Sequence, residues 1–102
     1  MLTKKEKNII LQVLEPYNPQ KIGVFGSRVR NEHSAESDLD LLVQLEDVNL
    51  FDLVELESTL SMHLDMKVDL VTEASLNKHI RSEVENEVYY ILNKSEELQN
   101  EK

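Results

Sequence analysis

The sequence predicts an α/β (α+β) fold in which helices cover a small mixed β-sheet. Apolar residues recur at helical spacing in three segments, and three short apolar runs with polar borders are typical of strands. The predicted order is helix, strand, strand, helix, strand, helix. Because the chain has 102 residues and no internal repeat, we expect one domain over residues 1–94, followed by a polar C-terminal tail over 95–102.

Helix one is predicted over residues 4–15. Thr3 and Glu6 have the spacing of a capping box, and the apolar periodicity that follows them ends at the first proline. Residues 21–25 are the first predicted strand. The polar segment 26–36 has no regular period, and we interpret it as a loop of the functional site with room for one helical turn.

The second half of the chain contains the remaining elements. Residues 38–44 are predicted as a largely buried strand, because most of these positions are apolar. Residues 50–64 follow helical spacing, with acidic residues early, where a helix favours negative charge. Residues 67–71 are the third predicted strand. A third amphipathic helix is predicted from about residue 75 to residue 92, and three of its acidic residues are expected on its solvated surface: Glu83, Glu85 and Glu87.

The composition limits the possible functions. Twenty acidic residues against 11 basic ones give a net charge of −9, which argues against sequence-independent nucleic-acid binding and favours cations and basic partners. The absence of cysteine excludes disulfides, thiolate metal sites and cysteine nucleophiles. The sequence has no apolar stretch typical of a membrane span or a signal peptide. We therefore expect a cytoplasmic protein with no direct nucleic-acid or membrane partner.

The most specific local pattern is a Gly26–Ser27 pair, ten further residues, and then Asp38–Leu39–Asp40. Side chains alternate along a strand, so Asp38 and Asp40 point to the same side and their carboxylates can converge on one cation. Two like charges in this arrangement need a compensating cation. A hard cation bound by few carboxylates, and otherwise by waters and phosphate oxygens, is typical of Mg²⁺.

Asp69 and the residues around Gly26 extend this pattern. Asp69 lies in the third predicted strand, and three carboxylates on adjacent strands suit a two-metal site for phosphoryl or nucleotidyl transfer. Ser27 can present its hydroxyl and backbone N–H to a phosphate, because glycine allows close approach of the chain. Arg28 and Arg30 can neutralise a triphosphate. Each feature alone could be an ordinary turn or a solvated strand edge, and their joint spacing favours the functional interpretation.

These motifs, together with Val68–Asp69–Leu70–Val71, resemble those of the minimal nucleotidyltransferases of the DNA polymerase beta superfamily. The resemblance covers residues of about 4–92, nearly the whole chain. One departure is visible after Gly-Ser-Arg, where members of the family commonly have Ala-Arg-Gly and this chain has Val29, Arg30 and Asn31. Asparagine tolerates a left-handed backbone better than most residues, so the turn can survive the change.

The resemblance implies roles for five residues. Gly26 and Ser27 would bind the triphosphate of ATP. Asp38 and Asp40 would hold two Mg²⁺ ions. Asp69 would complete the metal site and help to activate the acceptor hydroxyl.

The resemblance also implies a partner. Minimal nucleotidyltransferases are paired with small helical HEPN proteins, which are RNase toxins, and the implied function is an antitoxin that transfers AMP from ATP to a tyrosine of that toxin. Two alternatives stay open from the sequence. The chain could be an antitoxin that acts by binding alone, or it could transfer a nucleotide to RNA or to a small molecule such as an aminoglycoside.

Overall fold

The computed structural model describes residues 2–30 and 38–94. The strands of this part form one mixed sheet in the order β3-β2-β1-β4, with helices packed against it, which confirms the predicted fold class. The bounds of the regular elements are α1 (Lys4–Leu14), β1 (Lys21–Phe25), β2 (Leu39–Gln44), α2 (Leu50–Leu64), β3 (Val68–Thr72), α3 (Lys78–Glu87) and β4 (Tyr89–Asn93).

The first helix begins at the predicted capping box. The Thr3 hydroxyl accepts a hydrogen bond from the Glu6 N–H at 3.0 Å, and the Glu6 carboxylate accepts one from the Thr3 N–H at 2.8 Å. These bonds satisfy backbone donors at the start of a helix that have no partner within it. Ile10 and Leu14 are fully buried on the inner face of α1, where they join the apolar core.

Strand β2 lies at the centre of this core. It pairs antiparallel with β1 and parallel with β3. Leu39, Leu41 and Val43, which alternate along one face of β2, are fully buried. The parallel pairing of β2 with β3 requires a crossover connection, and α2 provides it.

Helix α2 also covers the outer edge of β3. The Val68 N–H donates a hydrogen bond to the Ser61 hydroxyl at 3.0 Å. The Leu70 N–H donates one to the Glu57 carboxylate at 2.7 Å. Because side chains of α2 satisfy these two edge donors, the residue between them is held in a fixed position beside β2.

The prediction of the third helix is wrong in its C-terminal part. Helix α3 ends at Glu87, and the chain then forms β4, which pairs antiparallel with β1. Apolar residues at positions 84, 88, 91 and 92 do match helical spacing. The uninterrupted run Val88–Leu92 consists mainly of β-branched and aromatic residues, however, and these favour a strand. Pairing with β1 also removes an edge that would otherwise be open.

Two predicted segments lie partly or wholly outside the described residues. They are the site loop, of which residues 31–37 are not described, and the polar tail over 95–102. The domain boundary at residue 94 therefore stays a prediction. In the part of the chain that the structure describes, no helix is both long enough and apolar enough to span a membrane.

Gly23 tests the packing of β4 against β1. It is buried in the middle of β1, and a Cβ atom there would collide with Cγ2 of Val88 and lie 3.1 Å from the ring of Tyr90. We expect Gly23→Ala to lower the free energy of unfolding by about 1–3 kcal/mol in urea denaturation. Ser82→Ala on the exposed surface of α3 is the control and should change it by less than about 0.5 kcal/mol. Equal stabilities of the two variants would contradict the close approach of β4.

Candidate active site

The site begins where β1 ends, in a tight turn formed by Gly26–Arg28. Gly26 is buried and has φ of 81°, a left-handed conformation that strains any residue with a Cβ atom. A Cβ atom at this position would also collide with Oδ2 of Asp40. Two constraints therefore require glycine at this position: the backbone conformation and the close approach of the Asp40 carboxylate. Ser27 is partly buried in the middle of the turn.

The strand register brings two of the three predicted acidic residues side by side. Asp40 of β2 and Asp69 of β3 are direct partners in the parallel pair, and Asp40 is also the partner of Phe25, the last residue of β1. Both aspartates are partly exposed, whereas their chain neighbours Leu39, Leu41, Val68 and Leu70 are buried. The carboxylates thus share the face of the sheet opposite to those buried neighbours, next to the turn at Gly26.

The local electrostatics favour a cation. Burial raises the pKa of the Asp40 carboxyl above its ordinary value, and the charges of Asp69, Asp38 and Glu87 raise it further. Arg30 opposes this effect and lowers the pKa. The charges of Asp69 and Asp38 therefore repel the ionised Asp40 carboxylate more strongly than the charge of Arg30 attracts it.

Asp38 lies just before β2 and is positioned differently from the other two. Its carboxylate is 3.8 Å from the ammonium group of Lys67, in an ion pair whose side chains are 42% and 70% exposed. Such an exposed pair contributes little stability. Among residues 2–30 and 38–94, no three histidine or acidic side chains are arranged so that they could hold a metal ion. The expected convergence of all three aspartates is therefore present in part, as the Asp40 and Asp69 pair, and their role as metal ligands stays a prediction.

A fourth carboxylate, which the sequence analysis assigned to a solvated helix surface, lies against the turn. Glu87, the last residue of α3, accepts a hydrogen bond from the Gly26 N–H at 2.8 Å and forms an ion pair with Arg30 at 2.9 Å. The periodicity of α3 gave no signal for this contact. It arises because the chain turns from helix to strand directly after Glu87 and then pairs with β1.

Residues 8–97 match the family described as polymerase beta, nucleotidyltransferase. The chain therefore belongs to the polymerase beta nucleotidyltransferase family.

Known relatives and structures agree with this assignment. The chain is 40% identical over 97 residues to the protein adenylyltransferase MntA of Thermococcus cleftensis, covering 89% of this chain and 98% of the relative. It is similar to a chain in a crystal structure of a toxin-antitoxin with AMP-PNP, with a TM-score of 0.79, 26% identity, and coverage of 89% of this chain and 76% of that one.

A second solved structure contains the tri-AMPylated HEPN toxin of Shewanella oneidensis in complex with an MNT antitoxin. One chain in it matches with a TM-score of 0.75 and 23% identity, covering 96% of this chain and 78% of that one, which shows a shared fold. Together the comparisons confirm two predictions: the resemblance to minimal nucleotidyltransferases, and an enzyme of the nucleotidyltransferase class, of which the Thermococcus cleftensis relative is named a protein adenylyltransferase.

The raised pKa of Asp40 leads to a test by stability. A carboxyl whose pKa is higher in the folded state destabilises that state when it ionises, so its contribution is most favourable below the ordinary value of 3.8 and is lost as the pH rises through the raised pKa. We expect Asp40→Asn to raise the free energy of unfolding at pH 7 by up to about 1 kcal/mol, since solvent screens a partly exposed group. This gain should shrink as the pH falls toward 3.8.

Urea denaturation at several pH values measures this difference. Glu83→Gln, an amide substitution at an exposed position of α3, is the control and should show no comparable gain. If Asp40→Asn were instead less stable than the wild type at pH 7, the repulsion inferred among these carboxylates would be wrong.

Proposed function

We propose that this chain is an antitoxin that transfers AMP from ATP to a tyrosine hydroxyl of a cognate HEPN-type RNase toxin, and that the transfer inactivates the toxin. The observation that carries the proposal is the pairing of Asp40 with Asp69 beside the Gly26 turn. The adenylyltransferase name of the Thermococcus cleftensis relative supports protein AMPylation. The toxin-antitoxin structures support a HEPN partner and a nucleotide substrate.

The donor set fits Mg²⁺. Asp38, Asp40 and Asp69 offer only oxygen ligands, and the surplus of negative charge around Asp40 needs a cation. A small number of carboxylates leaves room for waters and phosphate oxygens, which Mg²⁺ usually retains. Bound Mg²⁺ supplies stabilisation of the negative charge that develops on the phosphates and lowers the pKa of the acceptor hydroxyl.

The residues of the chain bind and orient the reactants. Ser27 binds the triphosphate through its backbone N–H and its hydroxyl, Gly26 allows the chain to approach the phosphates closely, and Arg28 and Arg30 neutralise part of their charge. The acceptor oxygen attacks the α-phosphorus, a new oxygen–phosphorus bond forms, and pyrophosphate leaves. Asp69 orients the acceptor hydroxyl and receives its proton.

The acceptor comes from another molecule. The site is open to solvent, since the side chains of Asp38 and Arg30 are 42% and 47% exposed. The net charge of −9 favours a basic protein surface, such as an RNase presents to its substrate. We place this reaction in the cytoplasm, as the composition predicts. Transfer to RNA has less support, because a net charge of this sign opposes backbone binding.

One observation favours the alternative, an antitoxin that acts by binding alone. No three acidic or histidine side chains within the described ranges already form a metal site. If the aspartates never bind Mg²⁺, the chain could still neutralise a toxin by covering its surface.

Mass spectrometry of the toxin separates the two functions. We expect incubation of this protein with the cognate toxin, ATP and Mg²⁺ to add AMP to a toxin tyrosine. Asp38→Ala and Asp40→Ala should each lower the rate at least about 100-fold, because each removes a carboxylate that would hold the Mg²⁺ ions, and those ions would stabilise the charge of the transition state. Glu85→Ala, which removes an exposed carboxylate of α3, is the control and should retain the wild-type rate.

Three results would contradict the proposal. Full activity of Asp38→Ala or of Asp40→Ala would show that the transfer does not need that carboxylate. A wild-type protein that protects against the toxin without any added mass would favour binding alone, and labelled nucleotide on RNA would indicate a different acceptor.

Asp69→Ala tests whether Asp69 acts on the acceptor hydroxyl. We expect it to slow transfer by about 100-fold or more while it retains part of the ATP binding, because Asp69 acts on the acceptor and shares the ions with two other carboxylates. Isothermal titration with ATP and Mg²⁺ measures the binding. Complete loss of ATP binding, or an unchanged transfer rate, would contradict this division of roles.

A further inference from the structure

Glu87 joins two segments that are distant in sequence. Its carboxylate accepts the Gly26 N–H at 2.8 Å, a bond that spans 61 residues. It also accepts from Nη1 of Arg30, at 3.2 Å through one oxygen and at 2.9 Å through the other. The Glu87 side chain is 25% exposed, so this is one of the better-shielded charges at the site.

The position of Glu87 follows from the strand that the sequence analysis missed. The register pairs Val24 of β1 with Tyr89 of β4, so the end of α3 lies beside the residues that follow β1. On the other side of the turn, Phe25 pairs with Asp40 of β2. The turn at Gly26 therefore lies between two carboxylates, with Asp40 on the β2 side and Glu87 on the β4 side.

We infer that Glu87 is a positioning residue of the nucleotide site, which holds the Gly26–Arg28 turn and the Arg30 side chain in the orientation that receives the triphosphate. This inference rests on the proposed function. Glu87 acts through Gly26 and Arg30, and the chemistry of transfer is left to the aspartates on the opposite side of the turn.

The physical reason is preorganisation. The backbone of a glycine can adopt more conformations than that of any other residue, and a long arginine side chain loses rotamer freedom when it binds a ligand. An ionised carboxylate that accepts from both groups orders them before the nucleotide arrives, so that binding does not have to supply this ordering. Glu87 is anchored on both sides, because its backbone ends α3 and the chain then pairs with β1 as β4.

Nucleotide kinetics test this role. We expect Glu87→Ala to raise the KM for ATP by about 10-fold or more, an effect typical of residues that orient a ligand-binding group. The effect on kcat should be smaller, since the three aspartates of the site are unchanged. Glu87→Gln keeps an oxygen that can accept from Gly26 but loses the charge that pairs with Arg30, and it should be intermediate. Glu83→Gln, on the exposed face of the same helix, is the matched control and should leave KM unchanged.

A spectroscopic measurement tests the contact without any transfer. The chain has only two glycines, so the backbone amide signal of Gly26 can be assigned readily. We expect its proton signal to move upfield and its hydrogen exchange to accelerate in Glu87→Ala, whereas Glu83→Gln leaves both unchanged. A purely structural role would change the midpoint of thermal unfolding without the selective change in KM.

The outcomes separate this inference from the proposed function. If the wild type modifies the toxin and Glu87→Ala has the same KM for ATP as Glu83→Gln, the positioning role inferred for Glu87 is wrong, while the proposed function is supported. A lower KM in Glu87→Ala would also overturn the inference, because the carboxylate would then compete with phosphate for Gly26 and Arg30.

If the wild type transfers no AMP, the proposed function fails, and titration with AMP-PNP decides the role of Glu87. Weaker binding by Glu87→Ala supports it, and equal binding, or none by the wild type, overturns it.

Discussion

The site depends on the parallel register that places Asp40 of β2 directly beside Asp69 of β3. Two features of the fold maintain this register. The α2 crossover connects the strands, and its Glu57 and Ser61 side chains bind the outer edge of β3 on either side of Asp69. A slip of one residue would turn Asp69 toward the buried face and move Val68 or Leu70 into solvent. The burial of those apolar residues therefore protects the pairing of the acidic ones.

This arrangement is unfavourable for the folded chain alone. Partial burial and, after it, the neighbouring carboxylates raise the pKa of Asp40, which means that its ionised form is disfavoured. A site that binds a cation benefits from the same repulsion, since the ion relieves it. The turn at Gly26 adds a second constraint, a left-handed position beside Asp40 that only glycine occupies without strain. Local features that oppose stability are often found together at functional sites.

Much of this site could be predicted from sequence because its main motifs are local. The side of the sheet that Asp40 and Asp69 share needs only the alternation of two strands, and the turn needs only a glycine at the end of β1. Asp38 is different, because it precedes β2 and pairs with Lys67. Glu87 could not be predicted in this way. Its role depends on a contact across 61 residues and on β4, whose apolar residues also match helical spacing. Tertiary pairing with β1 decided between helix and strand there, because the local pattern supports both: the apolar spacing fits a helix, and the β-branched and aromatic residues fit a strand.

If the chain transfers a nucleotide as proposed, the carboxylates of Asp40 and Asp69 bind divalent metal ions next to the Gly26 turn when the nucleotide is present. A crystal structure of the protein with Mn²⁺ and AMP-PNP, recorded at a wavelength where manganese scatters anomalously, tests it most directly. We expect an anomalous peak at coordination distance from Asp40, with the triphosphate against the backbone of Gly26 and Ser27. A nucleotide bound elsewhere, or manganese peaks remote from both aspartates, would contradict the account.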